Sequence, residues 1–132
     1  FFPPGTASDM HASGIGKALL SRMDDKRQRE VLAASQLERY TPFTLTDPDA
    51  MIADLHATKA RGYAIDGEER SIGMRCIAAP VYNVFGEAVA GISVSGPTSR
   101  ITEDRIEGLA KSVMQAAAYL TRAIGGNNRP AG

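Results

Sequence analysis

Three small side chains that could hold a ligand, Cys76, Ser93 and Ser95, lie on two neighbouring segments that read as the arms of a hairpin. A symmetric turn over residues 83–86 pairs Tyr82 with Glu87, which predicts Cys76 opposite Ser93 and Met74 opposite Ser95. Directly paired residues share a face. One face then carries Met74, Cys76, Ala78, Gly91, Ser93 and Ser95, and the other carries Ile77, Ala79, Val81, Ala90, Ile92 and Val94. The second set predicts a dry core face against helices. The first offers one thiol and two hydroxyls with room above them. A one-residue slip would oppose Cys76 to an isoleucine or valine and mix the faces, so the pattern favours this register. Half-exposed antiparallel sheets are common, and a lone cysteine is more often a small buried hydrophobe, so the solvated-sheet reading is the ordinary one. Clustering is what raises a pocket.

Two further elements could complete such a pocket. Ser13-Gly14-Ile15-Gly16 stands at a predicted helix start, where free backbone N–H groups and the positive dipole end attract anions. It matches neither the P-loop nor the dinucleotide fingerprint. Asp66 follows a short strand and precedes Gly67. In isolation it reads as a turn former, and in a site it would accept hydrogen bonds from a ligand. A thiol enzyme built from Cys76, His11 and Asp66 is a rival reading. Nothing in the sequence brings His11 to Cys76, and the loop after Asp66 carries both charge signs rather than the positive setting a thiolate needs. A metal site from His11, His56, Asp66 and Cys76 lacks any paired ligand spacing. Neither catalysis, a cofactor nor a metal is expected.

The elements that must position these residues follow from capping and periodicity. Ser13 predicts a helix to about Met23, with Ile15, Leu19 and Met23 on one stripe. Asp24 caps a second, with Val31 and Leu32 buried and Lys26, Arg27, Arg29 and Glu30 in water. Residues 35–46 read as a connection. Asp47-Pro48 starts a third helix over Met51, Ile52 and Leu55, ended by Gly62. Strands are expected at 63–66, 74–82 and 87–95. Thr102 predicts the cap of a last helix, with Ile101 and Ile106 as its hydrophobic staple. Its stripe is Ile106, Leu109, Val113, Ala117, Leu120 and Ile124. That stripe could also serve a pure assembly module, although an intramolecular core is the ordinary reading. Phe1-Phe2 resembles the end of a strand, so further N-terminal strands are expected to be missing. Residues 127–132 read as a polar tail.

The 132 residues suit one domain, and 43% hydrophobic content suffices for a core. Fifteen basic and fifteen acidic residues give zero net charge, which argues against holding nucleic acid by bulk electrostatics. The basic cluster Arg22, Lys26, Arg27 and Arg29 is interspersed with Asp24, Asp25 and Glu30, and reads as a solvated face. No apolar run approaches the roughly 18 residues of a membrane span, and the N-terminus does not read as a signal peptide. A single cysteine cannot form an intrachain disulfide and suits a reducing cytoplasm.

The run Met10-His11-Ala12-Ser13-Gly14-Ile15-Gly16-Lys17-Ala18-Leu19-Leu20 resembles a signature of the IclR family of bacterial transcription regulators. Tyr40-Thr41-Pro42 to Asp47-Pro48, Arg61-Gly62-Tyr63-Ala64-Ile65-Asp66-Gly67-Glu68-Glu69, Gly73 to Tyr82 and Ile92-Ser93-Val94-Ser95-Gly96-Pro97 resemble the family in the same order. The resemblance covers nearly the whole chain. It implies an α/β (α+β), GAF-like effector domain with a curved antiparallel sheet flanked by helices, here partial over 1–126. A winged helix-turn-helix domain would lie outside this chain. It further implies dimers or tetramers, operator DNA held only by that other domain, and a small organic acid as effector. In members that sense 2-oxo acids such as glyoxylate or pyruvate, the matching contacts fall on Ser13, Gly14, Ile15, Asp66, Cys76, Ser93 and Ser95.

Overall fold

A computed structural model describes residues 10–127. The expectations for Phe1-Phe2 and for all of the tail beyond Asn127 lie outside the described residues. After a 3-10 turn at Met10–Ala12 come α1 (Gly14–Ser21), α2 (Asp25–Ala34), α3 (Pro48–Arg61), β1 (Ala64–Gly67), β2 (Met74–Tyr82), β3 (Ala88–Pro97), a second 3-10 turn at Glu103–Arg105 and α4 (Ile106–Ala123). The first three helices start on the predicted caps. Ser13 Oγ accepts from Gly16 N at 3.1 Å, Asp24 Oδ1 from Arg27 N at 2.7 Å and Asp47 Oδ2 from Ala50 N at 3.0 Å. Gly62 ends α3 at φ +92°, a conformation that favours glycine.

The strands form one antiparallel sheet in the order β1-β2-β3. On one face, Ala79 and Val81 pack against Val113 and Ala117 of α4, and Ile77 meets Ile101 and Ala110. On the other, Ala64 and Ala78 receive Ala18 and Ile15 of α1. On the side of α1 away from the sheet, Leu20, Leu32, Met51, Ile52 and Leu55 tie α1, α2 and α3 together. The sheet is therefore sandwiched, with α4 below it and α1 above, backed by α2 and α3.

Several expectations need correction. Cys76 pairs with Ser95 rather than Ser93, Ser93 pairs with Ala78, and Met74 pairs with Pro97. The turn is longer than predicted. Asn83 closes it by donating its N–H to Glu87 O at 2.9 Å, while its Oδ1 accepts from Phe85 N and Glu87 N at 2.9 and 3.0 Å. Tyr82 therefore pairs with Ala88, and an irregularity then leaves Val81 opposite Ala90, with Val89 as the extra residue. The turn and the bulge each move the register by one, and two such steps restore every side chain to its predicted face.

Helix α1 ends at Ser21, two residues early, and Ile15, Leu19 and Met23 are only half-buried. In α2, Gln28 is buried where Val31 was expected, because its Nε2 donates to Leu20 O at 2.9 Å. The short strand lies one residue later than predicted, and β3 extends through Pro97. Thr102 makes no side-chain cap, since a 3-10 turn leads into α4. Ile101 and Ile106 nevertheless share one cluster. The buried stripe of α4 is Ala110, Val113, Ala117 and Thr121, while Ile124 is 53% exposed. Alanines let α4 lie close to the sheet, which rotates its larger residues to the flanks.

Candidate functional site

Strand pairing sets the first row of the site. Asp66 on β1 lies opposite Cys76 on β2, which lies opposite Ser95 on β3. Ala64, Ala78 and Ser93 form the neighbouring row on the same face. Helix α1 enters over these rows with its N-terminus. A Cβ built on Gly14 would stand 2.7 Å from Cys76 Sγ and 3.3 Å from Ala78 Cβ, and one built on Gly91 would stand 2.9 Å from Ile15 Cγ2. The face is thus small for two reasons. Over Ala78 and Gly91 it makes room for the helix. At Ser93 and Ser95, both exposed, it is left open. The N–H groups of Gly14 and Ile15 lie in the first turn, where no intrahelical acceptor exists. All seven predicted residues therefore belong to one region where α1 meets the sheet.

Asp66 is fixed by its local turn. Its Oδ1 accepts from Glu69 N at 2.8 Å, and the Arg70 N–H adds a second hydrogen bond. Burial pushes its carboxyl above the ordinary range, although these bonds and the charge of Lys17 pull the other way. The connection over residues 35–46 holds this loop from behind. Thr41 Oγ1 donates to Glu68 O at 2.6 Å and Thr44 Oγ1 to Glu69 O at 2.5 Å.

Sequence reasoning missed Lys17. Its side chain is fully buried, and Nζ donates to Ile65 O at 2.6 Å and to Glu69 Oε1 and Oε2 at 3.0 and 3.2 Å. Asp54 Oδ2 of α3 lies 2.8 Å from it. Burial raises the Glu69 carboxyl too, against the pull of Lys17. The available signal was a lysine within an otherwise apolar helix, followed by Ala18, Leu19 and Leu20.

The two histidines of the rival readings have other partners. His11 is buried and donates Nε2–H to Glu38 O at 2.8 Å, with its ring stacked on Tyr40. This is a structural role. His56 lies at the surface, 3.1 Å from Asp25. Among the described residues no group of His, Cys, Asp and Glu could hold a metal ion. Lys26, Arg27 and Arg29 are exposed as expected, whereas Arg22 lies over the Tyr82 ring at 5.6 Å. Two recesses of about 320 Å³ border Arg22, one reaching Tyr82, Met114 and Thr121 and the other Lys59 and Glu87. Neither is lined by any of the seven residues, so the convergence at α1 and not these recesses marks the candidate site. No helix among the described residues is long and apolar enough to cross a membrane.

Comparison with known proteins shows the family to which the chain belongs. Residues 3–122 match the family described as "Bacterial transcriptional regulator IclR C-terminal". The HTH-type transcriptional regulator BhcR of Paracoccus denitrificans is 54% identical over 121 residues, covering 92% of this chain and 43% of BhcR. The transcriptional repressor IclR of Escherichia coli is 42% identical, over 94% of this chain and 45% of the relative. The chain spans about half the length of these curated relatives, and both are regulators rather than enzymes. Among solved structures, Thermotoga maritima IclR superposes with a TM-score of 0.84 at 33% identity, over 88% of this chain and 47% of that one. The inducer-binding domain of the Acinetobacter transcription factor PobR, a double mutant in complex with 3-hydroxybenzoic acid, does so with 0.79 at 31% identity, over 85% and 66%.

Proposed function

This chain belongs to the IclR family of bacterial transcriptional regulators as an effector-binding C-terminal domain, and from that premise we propose that it senses a small carboxylic acid for a DNA-binding regulator. The observation that carries this reading is the row Asp66–Cys76–Ser95 beneath the first turn of α1. The acid's oxygens would take hydrogen bonds from the Gly14 and Ile15 N–H groups and from the hydroxyls of Ser95 and Ser93. Ser13 holds that turn in place through Gly16. Cys76, packed under Gly14, limits size and favours a compact, glyoxylate- or pyruvate-like acid. Asp66 would receive a hydroxyl or carbonyl hydrate. That PobR's inducer-binding domain is seen with an aromatic acid supports a carboxylate as the class of ligand.

Binding would favour whichever arrangement of domains and subunits holds the acid more tightly. In a dimer or tetramer of the intact regulator this would change the spacing of two DNA-reading heads and so operator affinity. Calorimetry with glyoxylate, pyruvate and 3-hydroxybenzoate tests the ligand class. Saturable binding of a small 2-oxo acid, clearly weakened when Ser93→Ala and Ser95→Ala are combined, is expected. Saturable binding of none of the three would overturn it. Operator gel shifts of the full-length regulator, with and without the acid that binds, test the coupling.

A further inference from the structure

The charge count beneath the candidate site does not close. One buried ammonium, Lys17, faces Asp54 at 2.8 Å and Glu69 at 3.0 Å, and Glu69 N–H bonds the carboxylate of Asp66 at 2.8 Å. Three carboxylates thus share one buried cation. The other charged or titratable groups packed around Asp66 do little to change that. Arg70 acts on Asp66 from the same loop, through its backbone N–H and its charge, but the residue is exposed and its guanidinium stacks 4.0 Å over the Tyr40 ring, so water screens that charge. Cys76 faces Asp66 from β2 and brings no positive charge. An anionic ligand at α1 would bring a further negative charge to this cluster, and like charges in a half-buried site cannot all remain ionised at little cost.

The geometry points to an effector that enters as anion plus proton: the anion docks at the first turn of α1, and a proton from solvent settles on the Asp66–Glu69 pair. This rests on the effector reading above. The complex then carries the same net charge as the free site. The protonated carboxyl also gains an O–H donor, which turns Asp66 from a repelling group into one that can bond an effector oxygen. Burial, which raises both carboxyls in the free protein, moves the site toward this state before the ligand arrives. Lys17 is a positioning residue here. It holds the loop through Glu69 and Ile65 O, and its charge sets how readily the pair accepts the proton.

The test is calorimetry of pyruvate and glyoxylate binding at several pH values from 5.5 to 8.5, in phosphate and in Tris, whose ionisation heats differ. The difference in heat between buffers counts protons. Uptake approaching one proton per acid bound is expected, with Kd weakening by up to tenfold per pH unit where the pair titrates. Asp66→Asn should abolish the uptake and flatten the pH profile. Glu69→Gln, which keeps Asp66, should reduce the uptake, and Lys17→Met should move the window to higher pH. Equal heats in the two buffers with a flat pH profile would overturn the inference while leaving the effector reading standing. If neither acid binds at any pH, the effector reading falls and takes this inference with it.

Discussion

Gly14 stands directly over Cys76, and a Cβ at Gly14 would lie 2.7 Å from the cysteine sulfur. Helix α1 can reach the sheet only because one residue lacks a side chain and the other is small. Gly14→Ala should therefore destabilise the protein by about 1–3 kcal/mol, as overpacking does. In a Cys76→Ala background the sulfur is gone and the same substitution should cost much less. A double-mutant cycle from urea unfolding would measure this coupling. Additive effects would show that α1 does not sit as described.

Ser95, not Ser93, shares a row with Cys76 and Asp66. Ser95→Ala should weaken a bound 2-oxo acid by a factor of about 3–10, the value of one hydrogen bond, and Ser93→Ala by less. Both serines are exposed, so neither change should move the unfolding midpoint appreciably. Pyruvate titrations of the two variants would decide the order.

Raised carboxyls carry a sign for stability. Between the ordinary carboxylate range and their raised values, Asp66 and Glu69 hold more protons in the folded state than in the unfolded chain. Their contribution therefore favours the folded state below the ordinary carboxylate range. It declines as pH rises from that range through the raised values. Urea midpoints at intervals from pH 4 to pH 8 should fall less steeply for Asp66→Asn than for the parent. An identical slope would mean that Asp66 ionises freely in the fold.

Much of this was legible in residue types, for reasons that differ along the chain. Asp24, Asp47-Pro48 and Gly62 announced helix ends because capping is local chemistry. The two faces of the hairpin were legible because alternation survives any even shift. The register itself was not, since the Asn83 side chain substitutes for backbone in closing the turn and Val89 bulges out, and neither leaves a periodic trace. The stripe on α4 was right at Val113 and Ala117 but missed Ala110, because hydrophobicity ranks leucine above alanine, whereas close packing against Ile77 and Ile101 selects the smaller residue. Lys17 escaped notice for a related reason: its burial depends on Asp54 and Glu69, which lie far along the chain.

That distance bears on how the molecule assembles. Lys17 meets Ile65 and Glu69 across 48 and 52 residues of sequence. An ammonium cannot leave water until its acceptors are in place, and these come from two separate parts of the chain, α3 and the stretch from Ile65 to Glu69. The caps and turns that define α1, α2 and α3 need no such partners and can form early. The network thus belongs to the last stage of folding. Lys17→Met, which strands the carboxylates, should cost about 3–5 kcal/mol. In a chevron, that loss should appear almost wholly as faster unfolding, with the refolding limb nearly unmoved. The buried lysine then acts as a latch on the finished fold: it governs how long the native state lasts, not how quickly it is reached.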